Sequence, residues 1–245
     1  MTLTFYKDNT EIMSQCVLWW QGRDQTTTGF PILPAGVMVT PSGTWANDLS
    51  LGNNKTLKTF NGSTNYISLT DNDAWYFGTS PVTICCWIKS PTIPVIRYLI
   101  WQQTDRNNTF EVSLGNGYTR CASVVSGSYI FDINSGSGSI ASNTWYHITF
   151  IRSGSSQVIY IDGIQKGTTA TSSAALINFT GPFYIGYEPN GYGSPSSYWY
   201  GNVKDLMIFK GRALSQPEIK LLMQLTNPNT GREFELLYPG QRGVE

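Results

Sequence analysis

The clearest structural signal in the chain lies in residues 143–167, which read Asn-Thr-Trp-Tyr-His-Ile-Thr-Phe-Ile-Arg, then Ser-Gly-Ser-Ser, then Gln-Val-Ile-Tyr-Ile-Asp-Gly-Ile-Gln-Lys-Gly. Two runs rich in β-branched and aromatic residues flank a four-residue polar turn, a pattern that predicts a β-hairpin. The second run ends on Asp162 and Gly163, and a Gly at this place can take the positive φ of a tight turn. The segment therefore predicts a hairpin followed at once by a second hairpin turn.

Side chains of a strand alternate between its two faces, so the first run divides into two sets. One set is Trp145, His147 and Thr149, and the other is Tyr146, Ile148 and Phe150. Neither set is fully polar, and we therefore expect this strand to be covered on both faces.

Three further landmarks accompany this strand and turn in order along the chain. They are Phe60-Asn61-Gly62 with Tyr66-Ile67, the strand from Thr83-Ile84 to Trp87-Ile88-Lys89, and Gly201-Asn202-Val203-Lys204-Asp205 with Arg212-Ala213-Leu214-Ser215. Together the five landmarks resemble the laminin-G-like, concanavalin A-like jelly-roll domains over residues 57–225. The resemblance implies an all-β fold, a two-sheet antiparallel β-sandwich of the jelly-roll type. It does not by itself imply one function, because a single fold serves many.

One short C-terminal helix is expected on this sandwich. Ser215 and Glu218 have the types and spacing of a capping box, and Ile219, Leu222 and Met223 give the helix an apolar stripe. Elsewhere short strands are predicted at 98–102, 110–114, 121–125, 129–133, 183–187 and 198–209. We divide the chain into N-terminal strands and a loop insertion of the same domain (1–56), the jelly roll (57–226) and a C-terminal extension (227–245).

The composition limits the classes of partner. With 16 basic and 16 acidic residues the formal net charge is zero, and the charges form no long blocks. Nucleic acid and anionic membranes both need a basic patch, so neither is expected as a partner. No uncharged apolar run approaches the roughly 20 residues of a membrane helix. The N-terminus shows no secretory signal, so we expect a virion or extracellular surface reached without one.

The four cysteines do not predict a disulfide framework or a zinc site. Cys16, Cys85, Cys86 and Cys121 contain no C-x-x-C spacing. Cys85 and Cys86 are adjacent in a predicted strand, so they point to opposite faces and cannot easily pair with each other. We expect all four to be small buried apolar residues.

Catalysis is not expected. A glycoside hydrolase needs two carboxyl groups at a defined separation. The close acidic pairs are Asp71 with Asp73, in what reads as a turn, and Glu233 with Glu235 in the tail. The Glu-x-Asp-x-x-Glu strand of laminarinase-like relatives is absent. The single histidine, His147, lies between Tyr146 and Ile148 and is expected to be a packed strand residue.

Calcium is the cofactor that the resemblance raises, since many laminin-G-like relatives hold it at one edge of the sandwich. Ca²⁺ takes six to eight oxygen ligands. The candidates are Asp71, Asp73 and, if the late loop folds towards them, Glu188. The family often has Asp where this chain has Asn61, which removes one charge from the site.

Two sets of aromatic and polar residues are candidates for binding sugar, which presents apolar C–H faces and many hydroxyls. The set around the late loop is Tyr187, Asn190, Tyr192 and Trp199, and the set on the middle strand and its turn is Trp101, Gln102, Asp105 and Arg106. The alternative for half or more of the aromatics is a place in the core of the sandwich.

Three functions follow from these observations. The first is a non-catalytic carbohydrate-binding or adhesion module on a surface, in the setting of a phage or viral decoration or fibre-head protein that binds a cell-surface glycan. The second is an architectural virion subunit without glycan binding, and the third, disfavoured, is a glycoside hydrolase. In the first two we expect association with copies of itself or other virion subunits through sheet edges or the tail.

Overall fold

The structure, a computed structural model, describes residues 12–48, 57–93, 96–189 and 198–230, together with the backbone of 3–5 and 234–236. Two antiparallel sheets stack face to face with most of the apolar side chains between them. This arrangement confirms the all-β sandwich expected from the sequence.

The first sheet has seven strands. In spatial order they are β11 (Ser128–Asn134), β10 (Tyr118–Val125), β9 (Asn108–Gly115), β8 (Arg97–Asp105), β15 (Phe183–Ile185), β6 (Tyr66–Leu69) and β3 (Val39–Ser42). Strand β15 is shorter than the predicted 183–187, because Gly186 takes φ +85° and ends it. A Cβ at Gly186 would lie 2.3 Å from Cε1 of Phe60, so only glycine fits there.

The second sheet has eight strands. In order they are β14 (Ile164–Thr171), β13 (Ser156–Ile161), β12 (Tyr146–Ser153), β7 (Val82–Lys89), β16 (Tyr200–Lys210), β5 (Leu57–Asn61) and β4 (Ala46–Asp48), with β2 (Cys16–Trp20) also paired to β16. The segment 12–48 thus contributes strands to both sheets, with β3 in the seven-stranded sheet and β2 and β4 in the eight-stranded sheet. The end segments β1 (Leu3–Phe5) and β17 (Phe234–Leu236) pair in parallel as a separate two-stranded sheet.

The two hairpin turns form where the sequence places them. The turn between β12 and β13 is shorter than predicted, since Ser153 and Ser156 already belong to the strands. At the next turn Asp162 and Gly163 take φ of +50° and +71°, the double positive φ of the tight turn that matches strand twist. Ile148 lies in the core between the sheets, as its place in the alternation predicts.

The helix α1 (Gln216–Thr226) covers the outer face of the eight-stranded sheet. The amide of Ser215 donates to the Glu218 carboxylate at 2.7 Å, which confirms the capping box. Ile219 and Leu222 are buried in a second apolar cluster with Trp19 and Met207 of the sheet below. Both faces of this sheet are therefore covered, which explains why its central strands are apolar on both sides.

Three of the cysteines, Cys85, Cys86 and Cys121, are buried as the sequence predicts, whereas Cys16 is only partly buried. All four are free thiols. Cys86 lies in the core between the sheets and Cys85 in the cluster under the helix, on opposite faces of β7. In the part of the chain that the structure describes, no helix has the length and apolar character to cross a membrane.

Candidate functional site

Four partly exposed tyrosines form a cluster at one end of the seven-stranded sheet, and we call Tyr66, Tyr184, Tyr187 and Tyr198 the tyrosine patch. The ring of Tyr187 stacks on Tyr66 at 4.7 Å between centroids and on Tyr198 at 4.6 Å. Tyr184 meets the rings of Tyr66 and Tyr187 edge-on, at 5.8 and 5.6 Å. The patch therefore presents phenol rings and hydroxyls held against one another.

Strand alternation positions two of these rings. Ile67 pairs with Ile185 across the sheet and both are fully buried, so their neighbours Tyr66 and Tyr184 point away from the core. Tyr184 lies opposite Trp101 of β8 on the same outer face.

The other two tyrosines are brought together by backbone pairing. Tyr187 and Tyr198 form an isolated antiparallel bridge, next to a hydrogen bond from the Trp199 amide to the Gly186 carbonyl at 2.9 Å. Burial, and then the neighbouring Tyr198, raise the pKa of Tyr187 to about 12. Its hydroxyl therefore keeps its proton at neutral pH and can donate a hydrogen bond.

Arg97 lies next to the tyrosine patch, at the end of the sandwich where the two sheets meet. Its Nη1 donates to the carbonyl of Tyr198 at 2.8 Å, and more weakly to the carbonyl of Gly62 at 3.4 Å. Its guanidinium carbon lies 5.5 Å from the centroid of the Tyr200 ring. A cation thus borders the aromatic surface.

A charged group lies farther across the same outer face. Arg120 binds the carboxylates of Glu111 and Asp132, the latter at 2.7 Å from Nε. Burial, opposed by Arg120, raises the pKa of Glu111 to about 7, and the nearby Glu188 carboxylate adds to the rise. The buried Glu188 carboxylate thus lies within electrostatic reach of Glu111, a proximity that the one-dimensional spacing of acidic residues does not reveal.

The structure places the late-loop set in different surroundings. Tyr187 belongs to the tyrosine patch, whereas Asn190 and Tyr192 fall outside the described residues. The expectation that Trp199 is an exposed binding residue is corrected, because its side chain is 1% exposed and lies in the core between the sheets.

The middle-strand set does not form one site either. Trp101 is 2% exposed, with its indole nitrogen 3.1 Å from the Gln103 side chain, so it too is corrected to a buried residue. Asp105 accepts from the Asn107 amide at 2.7 Å and shapes the β8–β9 turn, on which Arg106 is exposed. Gln102 is buried and donates to the Phe179 carbonyl at 2.8 Å.

The predicted calcium ligands are not brought together. Asp71 follows β6 and Glu188 follows β15, and these strands pair in antiparallel with Leu69 opposite Phe183, so the two carboxylates lie beyond opposite ends of the pair. Glu188 is also fully buried. Among the described residues, no group of three His, Cys, Asp or Glu is placed to hold a metal ion. A site at Asp71 and Asp73 stays a prediction, without Glu188.

The side chain of Asn61 stabilises a turn, where the family often has an Asp that could bind calcium. Its side-chain oxygen accepts from the amides of Ser63, Thr64 and Asn65 at 2.9 to 3.2 Å and so closes the turn after β5.

His147 is a packed strand residue, as the sequence predicts. It is 2% exposed, and its ring meets that of Trp87 edge-on. Burial, and then the charge of Lys204, lower the pKa of His147 to about 3, so it is neutral at physiological pH.

Sequence reasoning missed Tyr66, Tyr184, Tyr198 and Arg97 as members of one surface. The signal for Tyr66 and Tyr184 was present, since each is flanked in its strand by residues that face the core. The meeting of Tyr187, Tyr198 and Arg97 depends on the order of strands in the sheets, which local patterns do not give.

Comparison with solved structures shows the same fold in distant proteins. Domain 4 of AbnA, an extracellular GH43 arabinanase from Geobacillus stearothermophilus, in complex with arabinotriose, matches with a TM-score of 0.61 and 19% identity over 85% of this chain and 98% of that domain. The binding domain of botulinum neurotoxin DC, in complex with rat synaptotagmin II, matches with a TM-score of 0.63 and 16% identity over 87% of this chain.

A structure of botulinum neurotoxin type C, whose cell entry depends on two ganglioside molecules, gives a TM-score of 0.65 and 18% identity over 87% of this chain. This chain spans about half of each toxin chain, 52%. At these identities the likeness concerns the fold alone.

Sequence comparison gives the family. No curated protein matches the chain in sequence. The family model described as the concanavalin A-like lectin/glucanases superfamily matches residues 61–220, well over half of the chain. The matched region runs from the last residue of β5 into α1 and so includes all four residues of the tyrosine patch. The chain belongs to the concanavalin A-like lectin/glucanase superfamily.

Proposed function

We propose that the chain is a non-catalytic carbohydrate-binding and adhesion module that takes cell-surface glycan on the tyrosine patch. The observation that carries this proposal is the patch itself, in which four partly exposed tyrosines meet with ring centroids 4.6 to 6.3 Å apart. A tyrosine has an apolar ring and a polar tip. A surface of such rings matches a sugar, which has apolar C–H faces and a rim of hydroxyls.

The rigidity of the patch also supports this role. Each ring packs on at least one other, and Tyr187 and Tyr198 are joined by a backbone bridge. Side chains that are already ordered lose little conformational entropy on binding, which favours affinity. The arabinotriose complex of the AbnA domain supports sugar as a ligand class for this fold.

The absence of catalysis is part of the proposal. Glu111, on the outer face of the seven-stranded sheet, feels the charge of Glu188, but the Glu111 carboxylate is bound by Arg120 and both residues are at most 7% exposed. A glycosidase needs two carboxyl groups that reach the glycosidic bond. Burial and the ion pair disfavour that use here.

The setting we propose is a virion or other extracellular surface, with copies of the chain associated. Strand β14 supports association, since it is an edge strand of the eight-stranded sheet and its residues 164–169 are exposed. An edge strand offers backbone groups to which a neighbouring strand can pair. The alternative, an architectural subunit, would use this edge without binding glycan.

A glycan array with the purified protein tests the proposal, together with its mass by light scattering and an assay for released reducing ends. We expect binding to a defined set of glycans by the wild type, loss of that binding in Tyr187→Ala, and no released sugar. A defined oligomer that binds no glycan would favour the architectural subunit, and released reducing ends would favour the hydrolase.

A further inference from the structure

We propose that Tyr187 and Tyr198 are a site of oxidative cross-linking, at which a one-electron oxidant joins an ortho carbon of each ring to form a dityrosine. The two side chains touch in two ways, through their rings and through their hydroxyls, and this double contact carries the proposal. The cross-link forms whether or not the tyrosine patch binds glycan, so it goes beyond the proposed function.

The rings of the two residues are close to the separation that a covalent link requires. Their centroids are 4.6 Å apart with 30° between the planes, at the short end of the range of about 4.5 to 7 Å for aromatic pairs. In a biaryl, whose rings are joined by one carbon–carbon bond, the centroids are only slightly closer than this. A small rotation of the two side chains is therefore enough to join them.

The hydroxyls of the two residues also meet. The pKa of Tyr187 is raised by burial, then by the nearby Tyr198 phenol, and also by a hydrogen bond between the two side chains. The hydroxyl is the one hydrogen-bonding group of a tyrosine side chain. The ortho carbons, Cε1 and Cε2, are bonded to the carbon that carries this hydroxyl. Stacked rings whose hydroxyls are hydrogen-bonded therefore hold an ortho carbon of each close to the other.

The other ring pairs of the patch share fewer of these contacts. Tyr66 stacks on Tyr187 at 4.7 Å, but it affects the pKa of Tyr187 through electrostatics and not through a hydrogen bond. Tyr184 meets the Tyr187 ring edge-on at 5.6 Å. Tyr187 and Tyr198 are also joined by an antiparallel backbone bridge, which fixes one side chain beside the other. Within the tyrosine patch, stacking, hydroxyl contact and backbone pairing coincide at this pair.

The cross-link is an oxidation by two electrons. An oxidant of the peroxidase or photo-oxidant class takes one electron from each phenol, and each hydroxyl proton passes to water. The two phenoxyl radicals then pair their unpaired electrons in a bond between two ortho carbons. Each of these carbons loses its hydrogen as a proton, and each oxygen takes up a proton from water, which restores both aromatic rings. The product lacks two hydrogens relative to the two tyrosines.

Both side chains are partly exposed, so a small oxidant can reach them. The proposed setting, an extracellular surface, is an oxidising environment. The new bond would close a loop around residues 188–197. A covalent link that closes a loop reduces the freedom of the unfolded chain, and for a loop of this length we expect the Tm to rise by about 5 °C.

Photo-oxidation of the dilute full-length chain with a ruthenium bipyridyl complex and persulfate tests the proposal. The monomer is separated from any cross-linked dimer before measurement. We expect wild-type monomer to gain the blue fluorescence of dityrosine and to lose the mass of two hydrogens. Proteolytic digestion should give one cross-linked peptide pair, joined at Tyr187 and Tyr198.

Tyr198→Phe is the test variant, because it keeps the ring and removes the phenol that must be oxidised. Its monomer should show neither the dityrosine fluorescence nor the rise in Tm. Tyr76→Phe is the matched control, since it removes one phenol from an exposed ring beside Lys210. Tyr66→Phe removes the other phenol that stacks on Tyr187. Both of these variants should cross-link as wild type does.

Wild-type monomer without dityrosine, or a cross-linked peptide pair that joins other residues, would overturn the proposal. A cross-link that survives in folded Tyr198→Phe and disappears in Tyr66→Phe would place the bond on the other stacked pair and also contradict it. Glycan affinity, measured before oxidation, is a separate readout. Its absence would count against the proposed function and leave the cross-link standing, and a missing cross-link would leave the proposed function standing.

Discussion

The rings of Tyr187 and Tyr198 stack at 4.6 Å with 30° between their planes, and the same two residues form an antiparallel backbone bridge. Stacking and bridge hold the segments before and after residues 190–197 together at the end of the seven-stranded sheet. Tyr187 also stacks on Tyr66, so it is the central ring of the patch.

The central position of Tyr187 gives the first prediction. Tyr187→Ala removes a ring that contacts the three others, and we expect glycan affinity to fall about tenfold, or about 1.4 kcal/mol, by the scale of an aromatic contact. Tyr187→Phe keeps the stacking and should lose less. Calorimetry with the best array ligand measures both, and Tyr76→Ala, an exposed ring near Lys210, is the control. Equal glycan affinities for wild type and Tyr187→Ala would show that the tyrosine patch is not the glycan-binding site.

Chelation separates the calcium prediction from the glycan site. If Asp71 and Asp73 hold calcium, EDTA should lower the Tm of wild type and have no effect on Asp71→Asn. Glycan affinity at the patch should stay the same in both buffers, because Asp71 follows the end of β6 away from Tyr66. Loss of glycan binding in EDTA would show that the site depends on an ion after all. A matched Asp48→Asn variant, on strand β4 of the other sheet, controls for the loss of one carboxylate.

The fold was predictable because each strand carries its own signal. The hairpin of residues 143–167, the capping box at Ser215 and the faces of Cys85 and Cys86 all depend on neighbours within a few positions, and alternation or turn chemistry reveals them. The early end of β15 was not predictable in the same way. It depends on the approach of Gly186 to Phe60, a residue 126 positions earlier in the chain.

The candidate site was predictable only in part, and Trp199 shows why. For an aromatic residue beside a polar loop, the sequence alone does not show whether the side chain faces solvent or the core. Trp199 directly precedes β16 and packs between the sheets, whereas its neighbour Tyr198 points into the patch. The burial of Trp101 and the pairing of Glu111 with Arg120 likewise depend on which strands are adjacent.

His147 predicts a loss of stability in acid. Its pKa is about 3 in the folded protein against an ordinary 6.5, so between these values the unfolded chain binds a proton that the folded chain does not. Its contribution is complete above pH 6.5 and falls as the pH drops towards 3, by at most about 5 kcal/mol. Urea unfolding at pH 7 and pH 4 should show a smaller loss in His147→Gln than in wild type. Because His147 is the single histidine, parallel losses would show that it is not buried as a neutral ring.

Glu111 predicts an effect of opposite sign. Burial raises its pKa from 4.5 to about 7, so between these values the folded chain holds a proton that the unfolded chain has lost. The free energy of unfolding should therefore fall as the pH rises from about 4.5 to 7, by at most about 3 kcal/mol. Glu111→Gln should lack this fall, and its Arg120 keeps Asp132 as a partner. If wild type instead gains stability over this range relative to Glu111→Gln, the ion pair with Arg120 outweighs burial and Glu111 is ionised in the folded protein.

Measuring the free energy of unfolding of His147→Gln and Glu111→Gln from pH 4 to 8 separates the effects of the two residues. Each substitution should remove the pH dependence that its own residue causes and leave that of the other.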